Sequence, residues 1–409
     1  MELSVIPEAI TVLSDLTSLS FSQNHIQELP IFLSTLTNLT ELELIRNKVT
    51  VLYPELHALT NLITLNVFSN PINSPPFEII KTILPKRGES SSKVGFPGQG
   101  QLSKQTPSPH VVLSFLRALL VARSSLSLSL SNFELIQWPR ESYDLPELRQ
   151  ICMDENLLRA IPDGIANLSR LTSISLVGNH IKVISDMLSE VTGLTFLNLE
   201  RNRLETMPSF MASFPRLRTV SFANNLLTVF DPSLFQCSHI ESLSIRGNKM
   251  REIPPEIASL YQLSDLDYRN NPIIFPPEDI LSQGLAVMMK FYVNIMSCAP
   301  ACSFRDMEQD ARGDKLCLDS FALARLPLIV FRGLPRPGED WSEQRVRRDR
   351  WAYGMTQLAS LSIQGNMLEE LPDGISRIAR LSSLLCSLNE IRVLPESLGT
   401  LTSLRMLDL

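Results

Sequence analysis

The chain has little of what chemistry at a site usually requires. Its 409 residues include five histidines, six cysteines and three tryptophans. The histidines (His25, His57, His110, His180, His239) are isolated from one another. Cys298-Ala-Pro-Ala-Cys302 is the only close cysteine pair, and Cys317 alone does not complete a zinc ligand set. A phosphate-cradling loop needs G-x-x-x-x-G-K-[ST], but Gly88-Glu89-Ser90-Ser91-Ser92-Lys93 lacks the second glycine and a preceding strand. No catalytic constellation stands out, so the expectation is a non-enzyme without cofactor or metal. No uncharged apolar run reaches about 18 residues, which excludes a membrane-spanning helix. The opening MELSVIPEAITVL has an acid at position 2, no basic leader and a proline in its apolar part, unlike a signal peptide. A net charge of -6 and a pI near 5.6 argue against a nucleic-acid surface. Charged residues at 20% are too few for a disordered acidic chain.

What the chain does have is a sentence repeated every 23 residues, starting at Ser125, Leu148, Leu171, Leu194, Leu217, Ile240 and Leu263. Reduced to its constraints it reads L-x-x-L-x-L-x-x-N-x-L-x-x-[LIM]-P-x-x-x-h-x-x-[LF]-x-x, with h apolar. In the copy Leu194–Arg216, Leu197 and Leu199 alternate with polar neighbours, which predicts a short strand buried on one face. Asn202 follows where the chain turns inward, and its amide can satisfy backbone groups that the buried turn would leave unpaired. Leu204 and Met207 return to the core, Pro208 fixes the local φ, and Phe214 closes the far side. No single repeat can bury its own leucines, so stability must belong to the stack.

In chain order, 1–83 reads as a first array, with repeats from Leu16, Leu39 and a partial one from Leu62. Residues 84–123 read as a Ser/Gly/Pro-rich flexible loop followed by a capping helix over Val111–Ala122, and 124–283 as a second array. A second capping helix, Leu285–Met296, and a linker fill 284–312; 313–331 is the starter repeat of a third array; 332–357 is an insertion; 358–409 is that array, truncated. The insertion holds Trp341, Trp351 and six arginines among Glu339, Asp340, Glu343 and Asp349. Both the second and third arrays begin with a phenylalanine, Phe133 or Phe321, in the asparagine slot, and each follows a Pro pair, Pro75-Pro76 or Pro276-Pro277. This recurrence suggests duplication of a multi-repeat block. The sequence stops inside a strand at Leu409, which suggests a fragment of a longer chain or self-association through open repeat ends.

Over 1–80, 125–280 and 358–409 the chain resembles the 23-residue leucine-rich repeats of the Ras-group and plant intracellular class. The discriminating part is h-P-x-x-h-x-x-L, seen at Leu29-Pro30, Ile161-Pro162, Met207-Pro208, Ile253-Pro254, Leu371-Pro372 and Leu394-Pro395. The resemblance implies an α/β fold, a right-handed solenoid with a parallel sheet on its concave side, interrupted here by two insertions. It implies a cytoplasmic scaffold in signalling whose partner is a protein such as a small GTPase, phosphatase or receptor. Secreted relatives carry clustered cysteines in terminal caps, whereas here Cys152, Cys237 and Cys386 sit in aliphatic repeat positions as small hydrophobes. Similar repeats also precede the catalytic domains of Roco-type GTPases and kinases, so a recognition region of a larger enzyme, ubiquitin ligases included, is the rival reading.

On that fold, residues between the strand leucines face outward on the concave side and form the expected binding surface. The partner-binding candidates are Arg46, Phe68, Phe196, Asn198, Glu200, Arg201, Arg246, Asp267 and Arg269. Phe68 and Phe196 stand beside arginines, a composition typical of interface hot spots; the competing reading is that these charges only solvate the sheet. Two linear motifs are weaker: Lys93-Val94-Gly95-Phe96, a basic-Val-x-Phe match to phosphatase docking segments, and the Thr106-Pro and Ser108-Pro phosphoacceptor sites.

Overall fold

The computed structural model describes residues 3–83, 109–297, 315–326 and 358–409. The 84–108 loop with its two linear motifs, the Cys298/Cys302 pair and the 332–357 insertion lie outside the described residues. The chain forms two compact units, Met1–Leu226 with Leu243–Ile245, and Leu227–Ser242 with Arg246–Leu409.

The first unit opens with a parallel sheet of β1 (Ser18–Ser20), β2 (Glu41–Glu43) and β3 (Thr64–Asn66). Each residue pairs with one 23 positions on, Leu19 with Leu42 and Leu42 with Leu65. Two helices follow, α1 (Phe77–Ile80) and α2 (His110–Ser125). A second parallel run then stacks β4 (Ser127–Ser129), β5 (Gln150–Cys152), β7 (Ser173–Ser175), β9 (Phe196–Asn198) and β10 (Thr219–Ser221). On the return path β6 (Ala160–Ile161) pairs with β8 (Val183–Ile184). In these three-residue strands from β2 on only the central side chain is buried, Leu42, Ile151, Ile174, Leu197 and Val220 being at most 1% exposed, whereas Leu19 of β1 is half-buried.

The recurrent proline has a defined task. Pro30 and Pro162 lie in extended backbone immediately before one-turn 3-10 helices, Ile31–Thr35 and Asp163–Leu168, and the Pro30 and Pro162 carbonyls accept the first turn bonds. A fixed φ suits that entry, and the missing N–H is one the turn leaves unpaired. In the second unit Pro254, Pro372 and Pro395 do the same for Pro255–Ser259, Asp373–Arg377 and Glu396–Thr400.

The second unit contains β12 (Asp265–Asp267), α3 (Glu278–Leu281), α4 (Leu285–Ser297) and a parallel sheet of β13 (Lys315–Cys317), β14 (Ser360–Ser362), β15 (Ser383–Leu385) and β16 (Met406–Asp408). β11 (Ser242–Ser244) completes the inventory. Leu316 pairs with Leu361 although neighbouring strands pair 23 residues apart, so the ladder keeps its register across the third array's insertion.

Buried asparagines hold successive coils together. Asn202 donates to the Leu176 carbonyl (2.9 Å), one coil back, and to its own coil's Leu199 carbonyl (3.0 Å), while its Oδ1 accepts from the Ile181 N–H (3.0 Å). Asn47, Asn156, Asn179, Asn225 and Asn366 repeat this pattern, and no buried side-chain polar atom is left without a partner among the described residues.

The two phenylalanines in asparagine slots are explained by their helices. The Phe133 ring meets Phe115 of α2 edge-on at 5.7 Å, and Phe321 meets Phe291 of α4 at 5.5 Å. A first coil has no predecessor carbonyl for an amide to bind, so an aromatic docks the covering helix instead. The backbone is satisfied from the other side: Asn156 Oδ1 accepts from Phe133 and Leu135, and Asn366 Oδ1 from Phe321 and Leu323. Burial among Phe275, Phe291 and their neighbours raises the Tyr292 phenol, whose hydroxyl donates to the Ile253 carbonyl.

Candidate functional site

The outward side chains of the strands lie in columns one coil apart. In the first unit the column through Ser129, Cys152, Ser175, Asn198 and Ser221 is small and uncharged. Beside it, Asp154 is committed to structure: its Oδ1 accepts from Ser175 Oγ (2.7 Å) and the Val177 N–H (2.8 Å). Asp319 in the second unit does likewise with Ser362 (2.6 Å) and the Gln364 N–H (2.8 Å). These two acids tie coils together.

The next column is conformationally unusual. The residue before each ladder position has a positive φ, from Gln23, Arg46 and Ser69 through Glu155, Gly178, Arg201 and Asn224 to Leu388. The strand ends there, and the left-handed residue swings the chain so that the asparagine enters the core. At Gly178 the missing side chain has a second use. A Cβ there would lie 2.6 Å from the Glu155 carboxylate, which instead reaches across Gly178 to Arg201, two coils on, at 2.8 Å.

The predicted site residues fall in both units. In the first, Phe196, Asn198, Glu200 and Arg201 share one coil. Arg201 is exposed, Asn198 Oδ1 accepts from the Glu200 N–H (3.0 Å), and Glu200 accepts from the Asn224 amide (3.2 Å). Phe196 is half-buried between Ser173 and Thr219 on the adjoining strands; Phe68 is 40% exposed. Arg46, also exposed, lies on the coil next to Phe68, its N–H donating to the Phe68 carbonyl (2.9 Å). In the second unit Arg269 clamps Asp267 through two bonds of 2.8 Å, a charge-assisted fork that holds the Asp267 carboxyl below its ordinary range. Arg246 stands exposed near them and adds to that lowering.

Sequence reasoning missed Glu155 as the partner of Arg201. The signal was present as Glu, Gly and Arg at the pre-asparagine position of three successive repeats, but it appears only when the sequence is read at twice the period. Among the described residues no group of three or more His, Cys, Asp or Glu side chains could hold a metal ion, and no helix is long and apolar enough to cross a membrane.

Residues 146–204 match the family model described as leucine rich repeat. Among solved structures, a leucine-rich-repeat protein of Leptospira interrogans is similar at 18% identity, covering 100% of this chain and 81% of that one, with a TM-score of 0.36. An internalin of Listeria monocytogenes is similar at 19% identity over 99% of this chain and 84% of its own, TM-score 0.36. The leucine-rich-repeat ectodomain of the Arabidopsis thaliana receptor kinase GASSHO1/SCHENGEN3, solved with CASPARIAN STRIP INTEGRITY FACTOR 2, is similar at 19% over 98% of this chain and 48% of that one, TM-score 0.37. No ligand or activity passes to this chain at such identity. The 23-residue register, the buried asparagine ladder and the family match within it identify the fold as a leucine-rich-repeat solenoid.

Proposed function

We propose that the protein is a non-enzymatic scaffold that presents its sheet face to a protein partner. The observation that carries this reading is the face of the first unit, where a smooth column of small polar residues is flanked by Phe196 and by the exposed Glu155–Arg201 pair. A flat, low column admits a partner's backbone, while an aromatic and an arginine beside it supply the contacts that dominate interface energies. An exposed ion pair contributes only about 0–1 kcal/mol to the fold, so this one is available for exchange with a ligand at small cost. A cytoplasmic, signalling role and a small GTPase, phosphatase or receptor as partner belong to the same proposal and rest on the family resemblance.

The test is site-directed photo-crosslinking of the full chain in cell extract. A benzophenone amino acid at Asn198 or Ser221 yields a discrete adduct, whereas one at the exposed Met187, on the 3-10 flank, yields none. Phe196→Ala with Arg201→Ala removes the adduct while circular dichroism stays that of the parent. Equal adducts from Asn198 and Met187 would refute the assignment.

A further inference from the structure

A hollow in the first array gathers positive charge that the fold does not use. Gln23, Arg46 and Ser69 hold the left-handed position on three successive coils, with φ of 60°, 54° and 59°. Together with His25 and Lys48, two residues further along their coils, they line an open-mouthed cavity of about 380 Å³. That volume lies within the range of small-ligand sites, roughly 300–1,000 Å³.

The other groups nearby are already committed. Asn47, on the wall, spends its amide on the Phe21 and Leu44 carbonyls (2.9 and 3.0 Å), and its Oδ1 accepts from the Ile26 N–H (3.1 Å). Asn24 donates to the Phe21 carbonyl (2.9 Å) and accepts from the Leu3 N–H (2.9 Å). The acids of the neighbouring strand accept from serines, Glu41 from Ser18 (3.0 Å) and Glu43 from Ser20 (3.2 Å). Arg46 and Lys48 are both exposed, and neither has an ion-pair partner among the described residues. In a chain of net charge -6, two uncommitted cations on one cavity wall call for an anion from outside.

We propose that this hollow seats an anionic side chain from an acidic segment of a protein partner. Arg46 offers a planar fork that matches two oxygens of a carboxylate or phosphate, Lys48 supplies a compact point charge, and the Ser69 hydroxyl is a further donor on the wall. The anion's chemistry is shared by glutamate and phosphoserine. The inference rests on the scaffold reading only in assigning the anion to a protein; binding of the group itself is independent of the sheet face.

Fluorescence anisotropy on the full chain provides the test, with dye-labelled peptides of alternating glutamate and glycine, phosphoserine and glycine, and glutamine and glycine. The first or second binds and the third does not, and whichever of the two charged peptides binds more tightly identifies carboxylate or phosphate as the source. Arg46→Gln or Lys48→Gln weakens binding about fivefold and the double variant more than tenfold, from roughly 1 kcal/mol per exposed charge pair. Ser69→Glu, which places an acid on the wall, abolishes binding, and Arg170→Gln on the opposite flank leaves it unchanged. Circular dichroism accompanies each variant. Binding of the glutamine peptide, binding of neither charged peptide, or an unaltered double variant would overturn the proposal. Peptide binding that survives Phe196→Ala with Arg201→Ala, in a chain whose crosslink is lost, separates the hollow from the sheet face.

Discussion

Replacing Phe321 with asparagine restores the repeat consensus at the start of the third array, and by sequence alone it should stabilise the protein. The structure demands the opposite. Phe321 is 2% exposed, meets Phe291 edge-on at 5.5 Å, and has the Lys290 ammonium 5.7 Å from its ring centroid. Removing that ring forfeits burial worth about 1.5–3 kcal/mol. The incoming amide can share only its own coil's Leu318 carbonyl, to which Asn366 already donates (2.8 Å), because a first coil has no preceding carbonyl to accept from its N–H and no preceding N–H to donate to its Oδ1. A buried amide left mostly unpaired costs about 1–3 kcal/mol more. The expected destabilisation of Phe321→Asn is therefore about 3–6 kcal/mol. Urea unfolding followed by circular dichroism reads the total, and amide exchange at Leu323 reads the local part. An unchanged or raised midpoint would show that the helix-docking account of this residue is mistaken.

Asn202→Ala should cost about 1–3 kcal/mol in the same urea assay, since it strands the buried Ile181 N–H, while the Leu176 and Leu199 carbonyls keep the Asn179 and Asn225 amides as donors; an unchanged midpoint would contradict the ladder's role. Asn202→Asp keeps the acceptor for Ile181 but turns a buried carboxyl oxygen onto the Leu176 and Leu199 carbonyl oxygens, so it should destabilise at least as much as alanine near neutrality. Glu141 offers a pH test. Burial lifts its carboxyl above the ordinary 4.5 despite the 2.5 Å bond it accepts from Ser74. A folded-state value raised above the unfolded one means that its contribution is full in acid and is lost as pH rises through the folded value. Glu141→Gln should raise the thermal midpoint near neutrality and flatten its decline above the ordinary carboxylate range; an unchanged pH profile would remove Glu141 as the cause.

Much of this architecture is written in the residues, and the exceptions have physical reasons. The buried centres Leu42, Ile174 and Leu197 and the ladder asparagines follow from a 23-residue period, because each coil repeats its neighbour's environment. Phe133 and Phe321 read as departures because the surface they meet belongs to α2 and α4, which no repeat rule describes. The 3-10 form of the return turns follows from Pro30 and Pro162 standing just outside them, a placement that the motif marks without assigning a helix type. Of the candidate site, exposure of Arg46, Arg201 and Arg246 was legible, whereas the half-burial of Phe196 depends on the side chains of adjacent strands. The Glu155–Arg201 pair stayed hidden because its members stand two periods apart and meet only through the gap above Gly178.

The column of positive φ has a consequence for how this protein can be altered. A left-handed backbone costs an ordinary side chain on the order of 1 kcal/mol, and glycine or asparagine, as at Gly178, Gly247, Asn224 and Asn270, escapes most of it. Arginine at 46 and 201 and glutamate at 155 hold that conformation without this relief. Enrichment for heat resistance alone would therefore drift toward glycine or asparagine at these sites, smoothing the molecule and emptying it of its most distinctive charges. A library selected in turn for endurance and for ligand capture should diverge first at 46, 155 and 201.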